Sequence, residues 1–275
     1  MKHTFQSLIG LCALAATMLC QADQADTLPS WEALEFEERA FWATANSRLS
    51  VDTSRDDEWR LQAISSVVGN SEDVTLRFDP VSGEVVSRSR VSKGKQQRLK
   101  HYEYATDYVH RERRNPDSKA KTPPQEWQLV STREVPYPDS KGNRVVTASY
   151  LLPLLAQRLQ NSEPGTTAEY VVHTDLNFYR VQLTSGNGVP IEVDYQIDGG
   201  ERVRGTRQTR AVSVTIQPEG QLADKDDFSL MGLSGEIILF FDRETGLPLQ
   251  VRGRAPRIGN TGINLKSATL RAPTA

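Results

Sequence analysis

The chain has 275 residues, with 33 Lys and Arg against 35 Asp and Glu and a formal net charge of −2. This near balance argues against nucleic acid as a partner, because non-specific binding to phosphates needs a clear excess of positive charge. The length is sufficient for one large domain with a buried core.

The first residues of the chain have the layout of a secretory signal peptide. Met1 to His3 is a short basic start, an apolar run covers Leu8 to Leu19, and the segment ends at Ala22 before polar residues. This pattern predicts a signal peptide at 1–22 that is cleaved after Ala22, export to the periplasm, and a single β-rich domain at 23–275. The apolar run is shorter than the roughly 20 residues that span a bilayer, so we expect no transmembrane span in the mature chain.

Both cysteines, Cys12 and Cys20, lie inside the predicted signal peptide. The mature chain would therefore have no disulfide and no cysteine-based metal site. A lipid-modified Cys20 would need a small residue directly before it and usually a Leu three residues before it. Leu19 and Thr17 stand at those positions. We therefore expect a free periplasmic protein rather than one anchored by lipid at Cys20.

After residue 22 the sequence is dominated by short runs of alternating apolar and polar residues, separated by turn residues. Alternation with a period of two is typical of strands with one buried face. We predict a mainly β fold, built as a sandwich, a single antiparallel curved sheet or a partly open β-barrel of about ten to twelve strands, with one or two short helices. The clearest predicted strands are Val74–Phe78, Val85–Val91, Arg98–Tyr104, Tyr108–Arg113, Glu169–His173, Phe178–Thr184, Ile191–Ile197, Ala211–Gln217, Gly235–Phe241, Leu247–Gly253 and Asn264–Leu270.

Two segments have helical features. Ser30 can cap a helix from Trp31 to Trp42 whose first turns are acidic, although the same stretch could instead form the first strand. The stronger pattern covers Tyr150 to Gln160, where Ser149 is the predicted cap and Pro153 lies in the first turn. The leucines of this segment form a broad apolar face, which predicts packing on the sheet or at one end of it.

One motif occurs twice. Residues 78–83 and 241–246 share the pattern Phe-Asp-x-x-(Ser/Thr)-Gly. An Asp side chain can accept hydrogen bonds from turn amides, and a Gly can adopt a positive φ, so each copy predicts a hairpin turn. The repeat indicates either two turns that converged on one solution or a duplicated half-domain.

Positive charge is concentrated between Val85 and Lys121, where eleven Lys and Arg residues accompany four Asp and Glu residues. Such a local excess can steer a protein to an anionic surface such as lipid head groups. The alternative is a pair of exposed hairpin faces followed by a charged loop.

Two histidines flank a turn predicted at Ala105 and Thr106. With that turn, His101 lies opposite His110, and Glu103 shares the face of His101. Two imidazoles and a carboxylate on one face can bind a transition metal, and the alternative is a solvent-exposed hairpin without metal. The sequence contains no phosphate-binding loop, dinucleotide fingerprint or zinc motif, so we predict no cofactor.

A hydrolase is the enzymatic alternative. His173 and Asp175 point the same way if the strand before them continues, and a serine such as Ser185 could complete a triad only through long-range folding. No Gly-x-Ser-x-Gly motif is present. The acidic cluster from Asp224 to Asp227 is a second candidate centre for a hydrolase, since paired carboxylates can carry out glycoside hydrolysis. It lacks the ligand spacing of a calcium loop, and we predict a solvated turn there.

The segment Ile237–Phe241 is apolar on both faces of its predicted strand. One face must contact the core, and the other can lie under a second packed layer or line a cavity for an apolar ligand. In the second interpretation, Ile238 and Phe240, together with Leu151 and Leu155 of the predicted helix, are the candidate ligand-binding residues.

The C-terminal half of the chain resembles a known family. The segments Gly232–Glu236, Phe241–Pro248 and Gly253–Gly259 are similar to an uncharacterised family of exported proteobacterial β-rich proteins, known only as a domain of unknown function. The resemblance is most specific at the Thr-Gly-Leu-Pro hairpin. It implies a signal peptide and an antiparallel sheet, and it implies no catalytic residues. A more distant similarity is to the half-open β-barrel of periplasmic lipoprotein carriers.

Together these features favour a non-enzymatic periplasmic protein that binds a lipid or other amphiphile, or an envelope protein partner. Two alternatives remain open from the sequence. One is a hydrolase that acts on an envelope polymer, and the other is a structural scaffold in a secretion or polysaccharide assembly.

Overall fold

The computed structural model describes residues 29–40, 43–67, 69–94, 97–117, 122–223, 225–256 and 258–272. The predicted signal peptide, with Cys20 and the cleavage site at Ala22, lies outside these ranges. Within them the chain forms 17 strands, one α-helix and three short 3-10 helices. None of the helices in these ranges is long and apolar enough to span a membrane.

The strands in chain order are β1 Trp31–Ala40, β2 Ala43–Asp52, β3 Trp59–Val67, β4 Asn70–Phe78, β5 Val85–Lys93, β6 Arg98–Tyr104, β7 Tyr108–Asn115, β8 Gln128–Pro136, β9 Val146–Thr147, β10 Thr167–His173, β11 Phe178–Asn187, β12 Ile191–Ile197, β13 Glu201–Arg207, β14 Thr209–Pro218, β15 Ser234–Asp242, β16 Pro248–Ala255 and β17 Gly259–Leu270. The α-helix, α1, is Leu152–Leu159. The 3-10 helices are Pro124–Glu126, Asp139–Lys141 and Ser149–Leu151.

All 17 strands belong to one mixed sheet that does not close into a barrel. Hydrogen-bonded neighbours follow the order β9, β10, β11, β14, β15, β16, β17, β1 and then β2 to β8 consecutively. The β12–β13 hairpin joins this order where β12 pairs in parallel with the end of β17. The order therefore ends in the edge strands β8 and β9, each of which pairs with one neighbour in the described residues.

The mainly β prediction is confirmed, but the predicted strand number and orientation are wrong. The sheet has 17 strands rather than ten to twelve, and two pairs, β9 with β10 and β12 with β17, are parallel. The strands missed in the sequence include β8, β9 and β13. In β8 every residue except Val135 is exposed, so the strand lacks the apolar alternation that marks a half-buried strand.

The segment predicted as a helix from Trp31 is the strand β1, so the helix prediction is wrong there. β1 pairs with β17 on one edge and with β2 on the other, which makes it a central strand. Trp31 and Phe36 are buried, whereas Glu32 and Glu35 are exposed. The acidic residues that suggested a first helical turn are the outward positions of a strand. Trp42 lies outside the described residues.

The second predicted helix is confirmed as α1, which is preceded by a 3-10 turn. Pro153 lies in its first turn, where the missing N–H costs little. The cap positions are Ala148 for the 3-10 turn and Leu151 for α1, so the predicted cap at Ser149 is wrong. Leu151 and Leu155 are 0% and 2% exposed and belong to the main core, which places the helix on the inner face of the sheet.

The two copies of the repeated motif form matching hairpin turns, as predicted. The Gly83 N–H donates to the Asp79 carbonyl at 2.9 Å, and the Gly246 N–H donates to the Asp242 carbonyl at 2.9 Å. The two glycines have φ values of 76° and 70°, which other residues rarely adopt. One turn connects β4 with β5, and the other connects β15 with β16.

Both turns contact α1. Arg158 of the helix donates to a carbonyl of the first turn at 2.8 Å, and Gln157 donates to the Gly246 carbonyl at 3.3 Å. A Cβ atom at Gly83 would lie 2.7 Å from the Leu155 side chain, so this side chain would have to shift to admit another residue in the turn. The helix is therefore held between two equivalent turns from distant parts of the chain.

The two ends of the sheet face each other across a small second core. Tyr102, Val109 and Val135 of β6, β7 and β8 pack with Val171 and Phe178 of β10 and β11. These ends contact each other through side chains, whereas β8 and β9 do not pair. The packing brings the loop between β10 and β11 onto the inner face of β5, β6 and β7.

Candidate functional site

The inner face of strands β5 to β8 is strongly basic. Alternate side chains of a strand share one face, and the pairing register aligns seven cationic side chains there. They are Arg88 and Arg90 of β5, Arg98 and Lys100 of β6, Arg111 and Arg113 of β7, and Arg133 of β8. We call this set the basic face. The local charge excess predicted from the sequence is thus concentrated on one side of four neighbouring strands.

Asp175, on the loop between β10 and β11, lies on the middle of the basic face. Its carboxylate accepts hydrogen bonds from the Tyr102 hydroxyl at 2.7 Å and from Arg111 Nε at 2.6 Å, and it also contacts the Lys100 ammonium group. Burial opposes the charged carboxylate, but these three donors outweigh it and hold the pKa of Asp175 below its ordinary value. Asp175 therefore stays ionised and joins the two ends of the sheet.

Arg88 and His173 are buried beside this ion cluster. The Arg88 guanidinium donates to the carbonyl oxygens of His173, at 2.8 Å, and of Thr174, and it lies 4.0 Å from the centre of the Tyr102 ring. The Nδ1 atom of His173 is 3.1 Å from the Tyr104 hydroxyl. Burial, followed by repulsion from Arg88, lowers the pKa of His173 well below its ordinary value. The imidazole is therefore neutral near pH 7.

Asp227 anchors the β10–β11 loop from the other side. Its carboxylate accepts hydrogen bonds from the Thr174 hydroxyl at 2.8 Å and from the Asn177 side-chain amide at 2.9 Å. The prediction of a solvated turn is therefore wrong for Asp227, which is half-buried and structural. Asp224, from the same acidic cluster, lies outside the described residues.

The structure separates Ser185 from His173 and Asp175. His173 pairs with Phe178 at one end of the β10–β11 hairpin, whereas Ser185 lies about 23 Å further along β11 at roughly 3.3 Å per residue. The Ser185 hydroxyl donates to the Glu163 carbonyl, and the Asp175 carboxylate is engaged by the basic face. These contacts favour structural roles for His173 and Asp175.

The predicted register of the histidine hairpin is wrong. Residues 105–107 lie between the two strands and Tyr104 pairs with Val109, so His101 lies opposite Glu112, and Glu103 lies opposite His110. His101 and Glu103 share a face because they are two residues apart on β6, and His101 Nε2 is 2.7 Å from a Glu103 carboxylate oxygen. The register shift by an even number of positions leaves His110 on this face as well. Within the described ranges no group of three or more His, Cys, Asp or Glu side chains is arranged to hold a metal.

The candidate residues for an apolar ligand lie on opposite faces of the sheet. Leu151 and Leu155 are in the main core, whereas Ile238 and Phe240 belong to a small outer cluster with Ile191 of β12. β15 thus has a packed layer on each side, which is one of the two arrangements expected for its apolar sequence. The four side chains do not line a common cavity.

Part of the basic face has no acceptor. The Nε atom of Arg113 is buried without a hydrogen-bond partner, and Arg133 is exposed and forms no ion pair with the described residues. The ion pairs described for this face come from Asp175 and from Glu72, which is 2.5 Å from Arg90. These arginines were not predicted as site residues from the sequence. Their spacing of two in β5 and again in β7 was the signal that they share a face.

Comparisons of the chain with protein-family models, with curated proteins and with solved structures gave no match. The resemblance to exported proteobacterial β-rich proteins therefore stays a prediction. The function is argued from the geometry and charge of the basic face.

Proposed function

We propose that this chain is an exported, non-enzymatic binding protein whose basic face binds the phosphate-bearing head group of an amphiphile. The observation that carries the proposal is the alignment of seven cations on neighbouring strands, of which Lys100 and Arg111 pair with Asp175 and Arg90 pairs with Glu72. Six of the seven cations are arginines, whose forked N–H groups match the oxygens of a phosphate.

The same contacts support binding rather than catalysis. General-base catalysis needs a titratable group within reach of the proton that it removes. His173 is fully buried, and the Asp175 carboxylate is already bonded to three donors. Neither group is available to a substrate in this arrangement.

The ligand contacts the open end of the basic face, because the β10–β11 loop covers the middle of it. Arg90, Arg98 and Arg113 are partly exposed and Arg133 is exposed there. Deeper along the inner face, α1 and the side chains of the apolar core fill the space. The acyl chains therefore stay outside the protein, and the head group is recognised at the surface of a bilayer or lipid aggregate.

Co-sedimentation with lipid vesicles tests this proposal. The chain should bind vesicles of phosphatidylcholine mixed with phosphatidylglycerol but not phosphatidylcholine alone, and added salt should weaken the binding. Arg113→Glu removes one positive charge and adds one negative charge. Since each charge near an anionic surface contributes about 1 kcal/mol, the two changes together should weaken binding about thirty-fold. Competition by free glycerol phosphate distinguishes a soluble phosphate ligand from a membrane surface.

Arg204→Glu is the matched control, because Arg204 is 63% exposed on β13, away from the basic face. It should leave vesicle binding nearly unchanged. Equal binding to neutral and anionic vesicles, or equal losses in the two charge-reversal variants, would contradict recognition by the basic face.

A further inference from the structure

One edge of strand β8 has no strand partner among the described residues. β8 is bonded to β7 along one side, and no other strand of the described residues pairs with its second side. All of its residues except Val135 are exposed. A free strand edge of this length presents a row of unsatisfied N–H and C=O groups, which is a template for another strand.

The side chains of β8 add apolar and positive groups to this edge. Leu129 and Val130 are 46% and 51% exposed. Arg133 lies directly opposite Arg111 of β7 and forms no ion pair with the described residues. The neighbouring Arg113 has a buried Nε atom without an acceptor. An incoming strand would therefore meet exposed apolar side chains, the positive charge of Arg133 on one face, and the exposed carboxylate of Glu134 on the opposite face.

We infer that the free edge of β8 binds an extended, acidic segment of a protein partner by strand addition. In this mode the main-chain hydrogen bonds supply affinity, and alternate side chains supply specificity. A carboxylate on the added strand opposite Arg133 would form a favourable cross-strand pair. The inference concerns the backbone edge of β8 and stands without the head-group proposal.

A second copy of the chain fits this edge less well. Antiparallel pairing of β8 with itself, centred on Thr132, places Arg133 of one copy opposite Ser131 of the other. The two Arg133 side chains then lie on the same face as diagonal neighbours, with Arg111 of each copy beside them. Like charges at such positions oppose pairing, whereas an acidic strand neutralises them.

A synthetic peptide of alternating Val and Glu, as long as β8 and blocked at both ends, tests the inference. Its binding to the full chain is measured by fluorescence anisotropy. Two control peptides carry N-methyl groups at the odd or at the even positions, which keeps the charge but removes donors on one edge. We expect at least one methylated peptide to bind about tenfold more weakly than the parent, and Arg133→Glu to weaken the parent about tenfold.

Three results would overturn the inference. Equal binding of the parent and both methylated peptides would mean that charge alone attracts the peptide. That result would contradict strand addition but would not bear on the proposed binding of lipid head groups. Equal binding of a Val-Lys peptide would exclude an acidic preference. A dimer of the chain that the Val-Glu peptide fails to dissociate would identify a second copy as the occupant. The methylated peptides use the unaltered chain, so this comparison does not depend on the folding of a variant.

Discussion

Two regions of the inner face of the sheet differ sharply in chemistry, although they are adjacent. On β4 the inward residues Val74 and Leu76 are fully buried in the apolar core. Directly across the β4–β5 pairing lie Arg90 and Arg88, where the basic face begins. The first region is closed by α1, and the second is closed in its middle by the charged side chain of Asp175.

The difference shows how one wrapped sheet can combine stability with binding. The apolar region gains stability from the removal of side chains from water, which requires close packing. The basic region gains it from hydrogen-bonded charges, which leaves other arginines of the same face in contact with solvent. The comparison predicts that variants in the apolar region change stability alone, whereas variants in the basic region change stability and ligand binding together.

The largest effect is expected for Leu155→Ala in the apolar region. Leu155 is 2% exposed and contacts the turn at Gly83, so its truncation leaves a cavity between α1 and the sheet. We expect a loss of about 3 kcal/mol in the free energy of unfolding, measured by urea denaturation, with unchanged affinity for anionic vesicles. Leu129→Ala, at an exposed position of β8, should change stability by less than about 0.5 kcal/mol. Similar losses in both variants would contradict the assignment of the core.

Asp175→Asn should have an intermediate effect and a second consequence. It leaves Lys100 and Arg111, whose side chains are each 11% exposed, without their carboxylate, which should cost about 2–3 kcal/mol of unfolding free energy. The same change adds positive charge to the basic face, so binding to anionic vesicles should become about fivefold tighter. Asp194→Asn is the matched control, because Asp194 pairs with exposed arginines on the β12–β13 hairpin and should matter less. If Asp175→Asn lost stability but bound anionic vesicles more weakly than the parent chain, the proposed role of the basic face in binding would be contradicted.

The smallest expected effect is a pH dependence of the difference in unfolding free energy between the parent chain and Asp175→Asn. The folded pKa of Asp175 lies below the ordinary value of 3.8, so its stabilising contribution is complete above this pH and is lost as the pH falls towards the folded pKa. We expect the gap in unfolding free energy between the parent chain and Asp175→Asn to narrow by about 1 kcal/mol between about pH 7 and about pH 3. Other carboxylates, such as Glu219, titrate in both chains. A gap that widens on acidification would exclude the ionised carboxylate as the stabilising form.

Much of the fold could be predicted from local pattern. The strands from β4 to β7 and the two Phe-Asp-x-x-(Ser/Thr)-Gly turns were evident, because alternation and turn chemistry act over a few residues. β8 could not be recognised, since a strand exposed on both faces has no apolar period. The histidine hairpin was misaligned by its turn length, because Ala105 and Thr106 do not specify which residues close the loop.

The candidate site was predicted only in part. The charge excess between Val85 and Lys121 was visible in the sequence. The contact of Asp175 with Lys100 and Arg111 was not, since it joins residues far apart in the chain. Ser185 and His173 show the opposite relation. They belong to one hairpin, but they lie too far apart to act together in a catalytic triad.

The sequence by itself determined the β character of the chain, the two hairpin turns and the alternation that puts Arg88 and Arg90 on one face, whereas the signal peptide stays a prediction. These features depend on the period of a strand and on the conformational preferences of Asp and Gly. Only the tertiary structure decided that this face points inward, that Asp175 closes its middle and that β8 ends the sheet. Those outcomes depend on which distant strands pair and on how the sheet curves, and no local window of residues encodes either.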